Sequence, residues 1–261
     1  MSAILLDSGI VHYEVIGRGR PIIFLHGWVG SWRYWVPAMQ TASTAFRAYA
    51  LDMWGFGDTA RETTRYALDK QVTLLDHFLQ ELGMGKIAIV GHGLGALVGL
   101  LFTMRYPTMV DRIMAVEVPF DTNAVNSRLR NATLQELTDW LLNKDAAFEP
   151  ARTDGLKADP LAISTSFAAP DVFNLSHRLG SLHNPCLLVY GQNDPAIAVP
   201  AFDPNSAPMN MHAVILEQSA HFPMLDDPAR FNRLLTDFLA LAPGESPREL
   251  QMKEEWRRRV R

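Results

Sequence analysis

The five residues Gly91-His92-Gly93-Leu94-Gly95 constrain this 261-residue chain more than any other segment. They follow an apolar run, Lys86-Ile87-Ala88-Ile89-Val90, and precede a helix-like stretch, Ala96 to Arg105. A strand, a glycine turn and a helix are the setting in which a G-x-S-x-G sequence exposes a nucleophilic side chain. The glycines permit the strained backbone that such a turn needs. Here the central residue is Gly93, which carries no hydroxyl, thiol or carboxylate. No covalent bond to a substrate can form at that position.

The rest of the chain repeats the strand–helix alternation. Ile4–Asp7 and Val11–Ile16 read as paired strands around Ser8-Gly9. Pro21–Leu25, Phe46–Leu51, Arg112–Val118, Leu187–Tyr190 and Ala213–Leu216 read as further strands, with helices over Leu68–Leu82 and Pro228–Leu241. Such alternation predicts a mainly parallel α/β sheet flanked by helices. Between Pro119 and Pro185 the pattern turns helical. Thr133-Leu134-Gln135-Glu136 has the form of a capping box, and Ala158–Phe167 and Val172–Leu179 have helical spacing. This insert exceeds what one crossover needs, so residues 120–184 are expected to form a helical lid on a core of 1–119 and 185–261. A surface helix anchored by Trp256 is expected in the tail.

Composition narrows the function classes. Hydrophobic residues make up 48%, enough for one large core with an inserted subdomain or for two small domains. A net charge of −4 argues against a nucleic-acid partner. No segment approaches the roughly 20 apolar residues that span a bilayer, and the first residues lack the pattern of a signal peptide. A cytoplasmic protein with a small-molecule partner and no membrane role is expected. The single cysteine, Cys186, lies in an apolar run and reads as a buried strand residue. No His/Cys/carboxylate cluster has the spacing of a metal site, and no cofactor is expected.

Two readings of the glycine turn compete. Gly91-x-Gly93-x-x-Ala96 also fits the dinucleotide fingerprint, with Glu117 near the distance of a ribose-binding acid. Against it, the motif sits in mid-chain, and other strand ends carry motifs that it leaves unexplained. Those motifs are His26-Gly27-Trp28, Asp52-x-x-Gly55-x-Gly57, Gly191-x-x-Asp194 and Ala220-His221-Phe222-Pro223. Turn, Asp and His follow the order of the α/β-hydrolase triad. Over residues 1 to about 241 the chain resembles an α/β-hydrolase of the small, lid-bearing serine-hydrolase type, with Gly93 at the nucleophile position.

The resemblance assigns roles residue by residue. Asp194 would orient His221, and His221 would serve as general base. The amides of Trp28 and Leu94 would form the oxyanion hole, which needs no particular side chain. Glu117 is the reserve acid, since some hydrolases of this fold carry their acid after the strand that follows the turn. His26 reads as a structural residue of its loop and His92 as packing. Trp32, Trp35, Trp54 and Phe56 are candidates to line the site or to pack beside it. A dehalogenase would need an Asp at 93.

Four accounts fit the glycine: a serine hydrolase with its nucleophile removed, a ligand-binding pseudoenzyme, water activated directly by His221, and base chemistry with no nucleophile. The favoured substrate is a small ester-like or related carbonyl compound. Because glycine offers no nucleophilic atom, a fluorophosphonate is expected to leave residue 93 unlabelled. The fold normally holds a serine in this turn, so Gly93→Ser alone is expected to fit and to restore labelling. Peptide mapping by mass spectrometry reads both outcomes.

Overall fold

The computed structural model describes residues 2–168, 175, 178–201 and 207–250. Eight strands form one sheet: β1 (Ser2–Leu6), β2 (Gly9–Gly17), β3 (Arg20–Leu25), β4 (Phe46–Leu51), β5 (Ile87–His92), β6 (Val110–Val116), β7 (Cys186–Gly191) and β8 (Met211–Leu216). Their order across the sheet is β1-β2-β4-β3-β5-β6-β7-β8. β2 pairs antiparallel with β1 and β4, and the other neighbours run parallel. β5 and β7 are buried along their whole length, as strands covered on both faces must be.

The helices α1 (Val36–Ala42), α2 (Leu68–Glu81) and α3 (Leu94–Arg105) follow the strands of the core. Alternation along β3 and β4 assigns two of the layers. Tyr49 pairs with Ile23 and turns its ring to Phe78 of α2. Phe24, one residue on, faces the opposite way and packs on Trp35, which also meets Phe231. Phe231 belongs to the last helix of the core, Pro228–Ala240. The sheet is therefore covered on both faces.

The first hairpin differs in detail from its sequence signal. The turn residues are Asp7 and Ser8, both at positive φ (49° and 66°), and Gly9 already begins β2. Two consecutive positive φ values match the right-handed twist of the flanking strands. Between β6 and β7 the chain forms α4 (Arg128–Asn131), α5 (Leu134–Leu141), α6 (Glu149–Gly155) and α7 (Pro160–Ser166). α5 opens with the reciprocal Thr133–Glu136 capping box. After β8 come α8 (Pro223–Asp226) and α9 (Pro228–Ala240). The helix expected over Val172–Leu179 and the tail helix with Trp256 lie largely outside the described residues. Among the described residues no helix is long and apolar enough to cross a membrane.

Strand register brings the candidate residues to one edge. Leu25 stands opposite Gly91, His92 opposite Val116, and Val116 opposite Val189. The loops after β3, β5, β6 and β7 therefore emerge side by side, where open α/β sheets bind ligands. Cys186 is fully buried in β7, and burial pushes its thiol up to about 12. A thiol reagent such as Ellman's reagent is expected to leave the folded protein unmodified at neutral pH and to react once the chain is unfolded in guanidinium.

Candidate functional site

The turn after β5 sits close against its neighbours. Gly93 has φ 49° and ψ −109°, and its amide donates to the Val116 carbonyl at 2.8 Å. The Gly95 amide donates to the His26 carbonyl at 3.0 Å. A Cβ on Gly95 would run into the Leu25 carbonyl oxygen. Leu94 is the first residue of α3, so its amide is among the helix's orphan N–H groups.

Asp194 and His221, 27 positions apart, meet at this edge. His221 Nδ1 lies 2.8 Å from Asp194 Oδ2, and both side chains are fully buried. Asp194 Oδ1 accepts the Ala196 amide at 2.7 Å. Burial alone would raise the Asp194 carboxyl, but its interaction with His221 and its hydrogen bonds hold it at about 2. Asp194 is thus the charged member, and the imidazole donates through Nδ1–H. Its other nitrogen, Nε2, is buried without a hydrogen-bond partner among the described residues.

Glu117 stands behind Asp194. It follows β6 at φ 47°, and its Oε1 accepts the Gly191 amide. Burial, then the Asp194 charge, pushes its carboxyl well above the usual range. Two buried carboxylates side by side would repel, whereas a protonated Glu117 can donate to Asp194. The two acids that sequence leaves open are thus placed differently: Asp194 bonds the imidazole, while Glu117 bonds the Gly191 amide and keeps its Oε2 buried without a hydrogen-bond partner among the described residues.

His92 belongs to a buried chain of hydrogen bonds. The Gly27 amide donates to Tyr34 Oη at 2.6 Å, and Tyr34 Oη lies 2.9 Å from His92 Nδ1. His92 Nε2 lies 2.8 Å from the His221 carbonyl oxygen. A carbonyl only accepts, so Nε2 carries the proton, Nδ1 accepts, and Tyr34 donates to it. Burial above all pushes the His92 pKa well below its usual value, which keeps the ring neutral as this arrangement requires. Tyr34 has no motif of its own in the sequence. Its only signal is its place in the aromatic run Trp32-Arg33-Tyr34-Trp35.

The remaining candidates pack around this centre. His26 Nδ1 lies 2.8 Å from the Gly27 carbonyl, and its Nε2 accepts the Met53 amide at 3.0 Å. Phe56 packs on the His26 ring. Trp35 packs on Phe24 and Tyr34, Trp32 lies beside His12, and Trp54 lies under Arg65. His12, Asp52 and Asp58 place ligand-type atoms within 4.8 Å of one another. Asp52 is already committed, accepting the Trp32 amide at 2.9 Å and the Asp58 amide at 3.1 Å, with His12 Nδ1 at 3.1 Å. That arrangement serves to pin the loops.

The expectation that a serine alone fits at position 93 is corrected by Trp28. A Cβ on Gly93 would lie 2.9 Å from both Cε3 and Cζ3 of the indole, closer than real Cβ contacts come. The sequence places Trp28 beside the turn through its backbone and carries no sign that its ring lies over Gly93.

Glu117 yields a test by pH. Its folded pKa lies above its ordinary 4.5. The stability it contributes is complete below that value and is lost as pH rises toward the folded pKa. Glu117→Gln cannot ionise, yet it keeps an acceptor for Gly191 and a donor toward Asp194. Urea unfolding at pH 5 and pH 8 is expected to show the wild type losing more stability between the two than the variant. Equal losses would mean that Glu117 is ionised in the folded protein.

Residues 22–234 match the Alpha/beta hydrolase family. Human epoxide hydrolase 4 is 33% identical over 118 residues, which cover 43% of this chain and 33% of that protein. The chain thus spans about a third of that relative's length. The 2-hydroxy-6-oxo-6-(2'-aminophenyl)hexa-2,4-dienoic acid hydrolase of Metapseudomonas resinovorans is 24% identical, and the match covers 87% of each chain. The enol-lactonase from Burkholderia xenovorans LB400 superposes with a TM-score of 0.78 at 16% identity, over 92% of this chain and 100% of that one, a likeness of fold. With the match spanning most of its length, the chain belongs to the Alpha/beta hydrolase family.

Proposed function

We propose that this protein is a non-covalent general-base catalyst acting on a small ester-like or related carbonyl compound. The observation that carries the reading is the state of His221. Its Nδ1 is engaged by Asp194, while its Nε2 is buried and free to take a proton. Nε2 removes a proton from water, and the hydroxide adds to the carbonyl carbon. The charge that develops on the carbonyl oxygen falls to the amides of Trp28 and Leu94. The tetrahedral adduct then collapses to a carboxylic acid, the bond from its carbon to the leaving group breaks, and the imidazolium returns the proton to the departing atom, which keeps the electron pair. Gly93 takes no part in bond making. The carbonyl class is supported by two related proteins, a dienoic acid hydrolase and an enol-lactonase.

In this reading residues 120–184 act as a lid on a core of 1–119 and 185–261. Three contacts support that role. Ser166 accepts from Trp28 Nε1 at 2.9 Å, Ser31 donates to Asp154 at 2.5 Å, and Tyr66 donates to Asp159 at 2.7 Å. Each joins an inserted helix, or the residue that caps one, to a loop of the core.

Short-chain 4-nitrophenyl esters test the function. Slow steady turnover without an initial burst is expected, since no acyl-enzyme forms. His221→Ala is expected to lower it by about 100-fold or more, the usual range for a general base. Turnover insensitive to His221→Ala would overturn the catalytic reading. The complete burial of Trp28, Leu94 and His221 favours a second reading, an enclosed ligand-binding protein. Tight ligand binding with no turnover across a broad ester panel would establish that reading instead.

A further inference from the structure

We propose that Trp28 is the specificity-determining residue of this site, its indole filling the volume where the turn at Gly93 would otherwise present a side chain. The inference rests on the reading above for the identity of the site, but its main readout is steric.

The contact is close and the ring has little room to yield. A Cβ on Gly93 would meet Cε3 and Cζ3 of the indole at 2.9 Å, with the Gly27 Cα next at 3.6 Å. A clash of that kind is cheap only where the side chain can swing away. Trp28 is fully buried. Its Nε1–H donates to Ser166 Oγ at 2.9 Å. Ser166 in turn donates to the Ile163 carbonyl at 2.6 Å, so the acceptor is itself held in place. On one face the indole stacks on Phe167, with centroids 5.1 Å apart and planes 16° apart. The Arg130 guanidinium covers the Phe167 ring at 5.8 Å. Moving the indole would break a buried hydrogen bond and open this stack.

The residue type at 93 and the ring at 28 are therefore complementary. Glycine admits the indole as it lies, and anything larger at 93 requires the indole to shift. The chemistry is thereby confined to proton transfer at His221 Nε2, and a single substitution at 93 does not convert the site to acyl transfer. Partial space for a nucleophile exists only when both residues change.

The experiment is a double-mutant cycle on the full chain with Gly93→Ser, Trp28→Leu and the pair together. In the Trp28 background Gly93→Ser is expected to lower the melting temperature by about 4 °C more than it does in the Trp28→Leu background. A fluorophosphonate adduct at 93 is expected in the double variant and absent from Gly93→Ser alone. Additive melting temperatures, or labelling of Gly93→Ser as fast as the double variant, would overturn the proposal. Trp28→Phe, which keeps an aromatic ring with less bulk, replaces Trp28→Leu if that variant fails to fold. Coupled melting temperatures with a folded but unlabelled double variant would uphold the steric role of Trp28. That result would count instead against His221 as an effective base.

Discussion

Two amide hydrogen bonds at the turn after β5 set the spacing of the site. Gly93 reaches sideways to the end of β6 at Val116, and Gly95 reaches the other way to His26 at the end of β3. Three strand ends are thereby held at backbone-to-backbone distance, and at Gly91 and Gly95 a Cβ would run into backbone. The first turn of α3 enters the same gap. Trp28, Leu94 and Glu117 lie next to these points, and Asp194 and His221 reach the same edge from the loops after β7 and β8. A slip of one residue in β5 would turn each of its side chains to the opposite face.

Around this frame the protein keeps its buried polar groups at fixed protonation. Asp194 is charged, Glu117 behind it is held neutral, and His92 is neutral with its proton on Nε2. The His92 assignment follows from a partner, the His221 carbonyl, that only accepts. The chain Gly27–Tyr34–His92–His221 ties the loop that carries Trp28 to the backbone of the histidine that holds Asp194. Orientation of the imidazole is thus controlled at two points, its Nδ1 and its own carbonyl. A site built this way needs little rearrangement when charge appears in it.

The sheet and its order of elements were legible because they rest on local pattern. Apolar runs such as Ile87–Val90 and the spacing of Val72, Leu75, Phe78 and Leu79 report period and burial directly. Motifs at strand ends located Asp194, His221, Trp28 and Leu94, since a strand's end and its loop are neighbours in sequence. What escaped depends on contacts between distant segments. Tyr34 and His92 are 58 positions apart, and Trp28 and Ser166 are 138 apart. Nothing in the local spacing of either pair records that they touch. The same holds for Glu117, whose neutrality comes from enclosure beside Asp194 and not from its place after a strand.

The fit between Trp28 and Gly93 also bears on how such a sequence can change over generations. A serine arriving first at the turn meets the ring. A smaller residue arriving first at position 28 leaves a void where a tryptophan was, a loss that costs about 3–5 kcal/mol for Trp→Ala in a packed core. For a domain of ordinary marginal stability, roughly 5–15 kcal/mol, losing the ring is the heavier of the two first steps. On the proposed fit, a hydroxyl at the turn and a smaller residue at position 28 each cost less once the other is in place, so the order in which the two changes arrive matters.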